Sequence, residues 1–364
     1  MDTSILGRPI DELDTPALLV DLDAMERNIA TIAAEVRRHG VNWRPHAKAN
    51  KNPAIVHKQL AAGAIGVTVA KVGEAEVMAQ AGIRDILIAN QVVGPIKTRR
   101  LAALATQTDV IVAVDSPENV HELDQAAGVI GSRPRVVVEI DSGMQRCGVQ
   151  PGEPAVRLAE LVAGRPHLRF AGLMSWEGHA MAVPDSEERR RTIEQSIGLL
   201  TASARACRES GLPVEIVSCG GSGTFLTTAG IDGVTEVQAG GATFGDTAYR
   251  RLGVPVEPAL LLLVQVTSRA APDRIVFDAG RKSVDPSNLA PVPRDLDGVV
   301  GIQLSAEHGR ITLDRPVEAP RVGDRLVLEI GYGDQCVHLH ERIHGVRAGV
   351  VEVVWPILGR GRLQ

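Results

Sequence analysis

The stretch Trp43-Arg44-Pro45-His46-Ala47-Lys48 places a lysine at the end of an extended run. Pro45 fixes its own φ and pushes Arg44 out of the helical region, and Lys51-Asn52-Pro53 then opens a helix with proline in its first turn. Lys48 therefore falls at the C-terminal end of a strand. In parallel α/β proteins ligands and catalytic groups gather at that end. Lys48 is thus a candidate imine-forming nucleophile or phosphate clamp, with a solvated surface lysine as the plain alternative.

Two glycine clusters supply a second kind of chemistry. Ser218-Cys219-Gly220-Gly221-Ser222-Gly223-Thr224 follows a strand ending at Val217, and Gln238-Ala239-Gly240-Gly241-Ala242-Thr243 follows the next one. Amides of such loops, with the Ser222 and Thr224 hydroxyls, can surround a phosphate dianion without interference from side chains. Adjacent late strands with glycine-rich C-terminal loops are the usual phosphate grip of a barrel, whereas ordinary tight turns are the alternative. Arg146, in Asp141-Ser142-Gly143-Met144-Gln145-Arg146-Cys147-Gly148, lies just past another strand end, flanked by small residues that would let it point into a barrel mouth. Its alternative is a surface arginine.

The elements that must position these residues are short apolar runs alternating with helical patterns. Leu18–Leu22 precedes a helix from Asp23, Val41–Lys48 precedes one over 55–62, and Gly66–Ala70 precedes one over 73–81. The pattern continues through 85–89, 109–114, 135–140, 168–174, 215–218 and 235–238. These runs are Val/Ile-rich and nearly continuous in apolar character, as expected of parallel strands covered on both faces. Eight or nine such repeats predict a (β/α)8 TIM-type barrel in preference to an open doubly wound sheet.

Past Pro255 helical periodicity gives way to apolar runs separated by turn residues, at 259–266, 274–277, 299–304, 309–313, 325–330 and 350–355. The fold class is therefore α/β, with the barrel over 18–253, an all-β domain over 254–364, and the 1–17 segment packing with the β-domain. Net charge is −5 with both signs interspersed, which predicts neither a nucleic-acid nor a membrane surface and favours a small polar substrate. Cys147, Cys207, Cys219 and Cys336 form no CxxC pair, so a disulfide framework and a cysteine zinc site are not expected. No basic and apolar leader follows Met1 and no apolar run approaches ~18 residues, which predicts a cytoplasmic protein.

A barrel with a phosphate grip, a lysine able to form an imine and an arginine near the cofactor ring would accommodate pyridoxal phosphate. Leu18–Asp23, Arg44-Pro45-His46-Ala47-Lys48, Glu139–Gly148, the 218–224 loop and Asp278-Ala279-Gly280 resemble the D-threonine aldolase and D-serine dehydratase family. That family belongs to the alanine-racemase-like, fold type III class of pyridoxal phosphate enzymes. The resemblance runs from Asp14-Thr15-Pro16 to Val353-Val354-Trp355-Pro356. It implies that Lys48 holds the cofactor, that His46 of the His-x-Lys element is a further catalytic candidate, and that Arg146 sits near the ring. It also implies that Ser222, Gly223, Thr224, Gln238, Gly240 and Gly241 form the phosphate region.

Two departures stand out. Where the family usually carries a tyrosine, this chain has Trp176, followed by Glu177; stacking survives but the phenol hydroxyl does not. The family's divalent-metal pair aligns with Tyr332 and Asp334, so an expected histidine is missing. His338 and His340 alternate with Leu339 and are predicted to share a strand face with Cys336. With Asp334 they could rebuild a site for manganese, magnesium or zinc, or be plain polar histidines. The leading functional expectation is retro-aldol cleavage of a small β-hydroxy D-amino acid to glycine and an aldehyde. Alternatives are β-elimination to a keto acid and ammonia, a racemase using Lys48 and Tyr332 as bases, and a non-catalytic cofactor carrier. The resemblance also implies a homodimer.

Overall fold

The computed structural model describes residues 4–364. They divide into two compact units. One comprises the chain up to Thr31, Ala49–Asn52 and Gly241–Arg360; the other comprises Ile32–Lys48, Pro53–Gly240 and Gly361–Gln364. No helix among the described residues is long and apolar enough to cross a membrane.

The first strand, β1 (Ala17–Asp21), belongs to the former unit and is followed by the helix Leu22–Arg38, within which the boundary falls. The barrel unit carries β2 (Asn42–Trp43), β3 (Val67–Val69), β4 (Asp85–Gln91), β5 (Asp109–Val114), β6 (Arg135–Ile140), β7 (Arg169–Ser175), β8 (Ile216–Cys219) and β9 (Glu236–Val237). These eight strands pair in the order β2-β9-β8-β7-β6-β5-β4-β3, all parallel. The ring closes through the His46–Thr68 bridge, with Ala47 N–H donating to the Thr68 carbonyl at 2.7 Å and Thr68 N–H to the Pro45 carbonyl at 2.9 Å.

The strands are apolar throughout because both faces are covered. Leu87, Ile111, Ala113, Val137, Ala171, Met174 and Ile216 pack together on one face, while Ile86, Ile88, Val110, Val112, Val136 and Val138 are equally buried on the other. The strand beginnings carry charge instead. Arg44 reaches Glu236 at 3.1 Å and Asp85 at 2.7 Å, and Arg135 contacts Asp85 and Asp109, each at 2.7 Å. Glu236, Asp85, Asp109 and Arg135 are each the first residue of their strand, so the bottom rim is tied by ion pairs.

The other unit adds β10 (Leu260–Ala271), β11 (Arg274–Phe277), β12 (Val292–Pro293), β13 (Val299–Leu304), β14 (Gly309–Leu313), β15 (Arg325–Glu329), β16 (Arg342–Arg347) and β17 (Val350–Pro356). Its sheet runs β13-β14-β11-β10-β1-β16-β17, with β15 pairing β10 and β12.

Five sequence expectations change here. The first strand-helix repeat is not part of the barrel: β1 lies antiparallel to β10 and parallel to β16. Its Leu18, Leu19 and Val20 are as buried as barrel residues, so the local pattern could not distinguish the two sheets. The N-terminal segment grouped with the β-unit therefore runs to Thr31 rather than residue 17, and that unit resumes at Gly241 rather than 254. The last four residues group with the barrel, where the Gly73 amide donates to the Gln364 carbonyl at 2.7 Å. Finally, His338 is not on a strand: Gly333–Gln335 and Val337–Leu339 are 3-10 turns, and the strand begins only at Arg342.

Candidate active site

In a parallel barrel every loop that follows a strand opens on the same rim. The segments after β2, β6, β7, β8 and β9 therefore bring Lys48, Arg146, Trp176, the 220–224 loop and Gln238-Ala239-Gly240 to one end of the barrel. Lys48 stands in the turn after the His46 bridge and is exposed. Its segment is held on both sides: toward β9, Arg44 N–H donates to the Val237 carbonyl and His46 N–H to the Gln238 carbonyl at 2.9 and 3.0 Å, and toward β3, Ala47 N–H donates to the Thr68 carbonyl at 2.7 Å. The Trp43 indole N–H adds a buried 2.7 Å bond to the Ala239 carbonyl. His46 turns Nδ1 toward the Lys48 amide at 3.3 Å, so its ring braces the turn that carries the lysine.

The second glycine loop approaches this segment so closely that side chains are excluded: a Cβ on Gly240 would lie 2.2 Å from the His46 carbonyl oxygen. The amides of Gly223 and Gly240 donate to no protein acceptor among the described residues. Each is available to an anion. Gln238 differs, because its amide donates to the Ser218 hydroxyl at 2.9 Å and is buried beneath the loops. Gly241 opens a 3-10 turn of the other unit, where a Cβ would meet the Tyr249 hydroxyl at 2.8 Å.

Thr224 corrects the expectation placed on it. Its hydroxyl donates to Glu177 at 2.6 Å, is 2 % exposed with its residue, and accepts the Gly221 amide at 3.0 Å. It holds the loop rather than facing a ligand. Glu177 also accepts the Thr228 hydroxyl at 2.9 Å and the Gly220 amide at 3.3 Å. Burial pushes its carboxyl above the usual range, against the lowering effect of these donors. Trp176 packs on the same loop; a Cβ on Gly221 would sit 2.3 Å from its ring.

Arg146 is half exposed and lies 3.9 Å from Glu139, a carboxylate at the end of β6 that accepts the Gln91 amide at 2.5 Å. Burial raises the Glu139 pKa. Its position four residues after a strand start was legible only as part of an apolar run.

In the other unit Tyr332 precedes the Gly333–Gln335 turn, and its ring meets Tyr249 edge to face with centroids 6.1 Å apart. Burial, then the nearby Asp334 charge, raises the Tyr332 phenol, which is also hydrogen-bonded to Tyr249. Asp246, 2 % exposed, accepts the Gly333 amide at 2.7 Å through one oxygen while the other has no partner; burial raises its pKa strongly. Neither Asp246 nor Tyr249 stood out in sequence as a site residue, although Tyr249 was one of few aromatics.

The anticipated metal ligands are not gathered. His338 is exposed with Nδ1 3.4 Å from the Asp334 carbonyl, and His340 Nε2 lies 2.7 Å from the Ser283 carbonyl, which also receives the Cys336 thiol at 3.6 Å. Among the described residues no group of three or more His, Cys, Asp or Glu side chains is placed to hold a metal ion. With a phenol at 332 in place of an imidazole, Asp334, His338 and His340 do not make a set that fits a divalent cation.

A closed parallel barrel with a lysine and glycine amides on its C-terminal rim defines an alanine-racemase-like architecture. A family model for the alanine racemase N-terminal domain matches residues 20–248, and one for a putative serine dehydratase domain matches 259–346. The chain is 36% identical to a D-threonine aldolase of Arthrobacter sp, covering 98% of this chain and 95% of that one. It is 35% identical to a 3-hydroxy-D-aspartate aldolase of Paracoccus denitrificans (strain Pd 1222), over 98% and 94% of the two chains. A crystal structure of D-threonine aldolase from Filomicrobium marinum superposes with a TM-score of 0.96 at 39% identity, covering 99% and 98%. The chain belongs to the D-threonine aldolase and D-serine dehydratase family of alanine-racemase-like pyridoxal phosphate lyases.

Proposed function

We propose that this enzyme cleaves the Cα–Cβ bond of a small β-hydroxy D-amino acid, giving glycine and an aldehyde. The observation that carries the reading is the placement of the Lys48 turn against Gly240, which sets a primary amine and partner-free glycine amides on one rim. The full-length similarity to D-threonine and 3-hydroxy-D-aspartate aldolases supports the substrate class.

The barrel residues fit pyridoxal phosphate. Lys48 would supply the amine that holds it, the amides of Gly223 and Gly240 with Ser222 would be donors to its phosphate, and Trp176 and Arg146 would be the side chains on the same rim that serve its ring. When bound, the cofactor supplies an electron sink for the bond being broken. The family resemblance makes Tyr332 the candidate acid or base for the substrate's β-hydroxyl proton. Tyr332, Asp334, His338 and His340 do not fit a divalent metal, in donor type or in placement. The protein works in the cytoplasm as a homodimer.

β-Elimination is the second reading, favoured by a dehydratase among the similar structures: D-threo-3-hydroxyaspartate dehydratase from Delftia sp. HT23, TM-score 0.85 at 28% identity over 96% and 98% of the chains. Incubation with D-threonine, D-serine, D-3-hydroxyaspartate and D-alanine separates the possibilities. Aldehyde release supports the aldolase; ammonia with keto acid, or change of optical rotation alone, replaces it with the dehydratase or the racemase. Repeating the assay after chelation tests the metal reading: full turnover is expected, and loss restored by manganese or zinc rejects it.

A further inference from the structure

Glu177 is completely buried, at 0% exposure, and among the described residues no basic side chain pairs with it. A carboxyl in that position is costly unless its hydrogen bonds do something specific. Its three donors all come from one stretch that begins where β8 ends. Gly220 N–H reaches one oxygen at 3.3 Å, and the Thr224 and Thr228 hydroxyls reach the other at 2.6 and 2.9 Å. Thr224 in turn accepts from the Gly221 amide at 3.0 Å. The amides of Gly220 and Gly221 are thus drawn inward through Glu177, and the Gly223 amide, which donates to no acceptor among the described residues, is what remains to face a ligand. The preceding residue works from the other side, since the Trp176 ring fills the space where a side chain at 221 would be.

We propose that Glu177 is the positioning residue of the phosphate grip: from just past β7 it clamps both ends of the 220–224 loop in the conformation that leaves the Gly223 amide to a ligand. The proposal rests on the reading of this loop as the pyridoxal phosphate site. No proton is transferred and no bond to the cofactor is formed by Glu177. Its effect is carried by the geometry of the next strand's loop. A glutamine keeps an acceptor for the two threonine hydroxyls, whereas alanine removes all three contacts and opens a cavity beneath the loop.

The test is titration of apo protein with pyridoxal phosphate, followed by absorbance, together with the 31P resonance of the bound phosphate. Relative to wild type, Glu177→Ala is expected to raise the half-saturating concentration at least about tenfold and to shift the 31P line, as loss of hydrogen bonds to a charged group predicts. Glu177→Gln should stay within about threefold, and Thr228→Val, which keeps the bulk and removes one donor, should fall between them. Should Glu177→Ala not fold, the Gln and Val variants decide the matter. A purely structural role would lower the melting temperature while leaving half-saturation and the 31P line unmoved, and that result overturns the proposal. So does a glutamine variant as weak as the alanine one. If wild type itself shows no saturable binding, the cofactor reading falls and the proposal with it, an outcome visible before any variant is made.

Discussion

The position of Lys48 is set by main-chain bonds of its segment to β9 on one side and β3 on the other, which fix where its Cα stands. Borohydride reduction of the holoenzyme followed by peptide mapping should place the pyridoxyl group on Lys48; label on Lys71 or Lys282 instead would remove the basis of the mechanism. Glu177 offers a second measurement at this scale. Its folded pKa is raised by burial above the ordinary 4.5, so between 4.5 and that raised value the folded chain keeps a proton that the unfolded chain has released. Stability from this group is full below 4.5 and declines as pH rises through the window. Urea midpoints at about pH 5 and 8 should therefore fall more for wild type than for Glu177→Gln, which cannot titrate. An identical fall in both would show that Glu177 is already ionised in the folded protein.

At the scale of elements, the rim is built by backbone contact between neighbouring loops. Gly240→Ala places a methyl 2.2 Å from the His46 carbonyl oxygen, which backbone cannot yield cheaply. The expected result is about 1–3 kcal/mol of lost stability, with cofactor released on dialysis because the Lys48 turn is displaced. Retention of both would mean that the loop yields instead. The opposite rim depends on charge. Arg44, 1 % exposed, pairs with Glu236 and Asp85, and Glu236 is itself 2 % exposed. Arg44→Met should cost about 3–5 kcal/mol by leaving a buried carboxylate uncompensated. Arg44→Met with Glu236→Gln should recover part of that loss, as denaturant unfolding would show; a double variant worse than the single one would contradict the ion-pair account.

For the whole molecule, two sheets of different kind share one chain, and the short strand β1 joins the sheet built by residues more than two hundred positions later. Removing residues 1–21 should therefore unfold the C-terminal sheet rather than open the barrel. Hydrogen exchange would report it as lost protection in β10 and β16 with β4 to β6 unchanged. The proposed homodimer is tested by sedimentation velocity at micromolar concentration, where twice the 38.7 kDa chain mass is expected; a monomeric species retaining full turnover would exclude a shared site.

What the sequence determined by itself is whatever depends on local order: strand after helix in a parallel fold, Pro45 and Pro53 punctuating the Lys48 segment, and glycines where two strands end. In such a fold the position of a residue just past a strand is also its position in space, so Lys48, Arg146, Gly223 and Gly240 could be placed on one rim without coordinates. Tertiary structure decided what depends on distant partners. β1 reads like a barrel strand because its successive residues are all buried, as in the barrel, and only pairing with β10 and β16 distinguishes them. Thr224 reads like a phosphate ligand until Glu177, 47 residues earlier, takes its hydroxyl. His338 and His340 alternate as on a strand, but the chain there winds into 3-10 turns, and each ring is turned toward a main-chain carbonyl. Side-chain direction is set by the contacts a residue finds across the fold, and spacing along the chain does not encode those contacts.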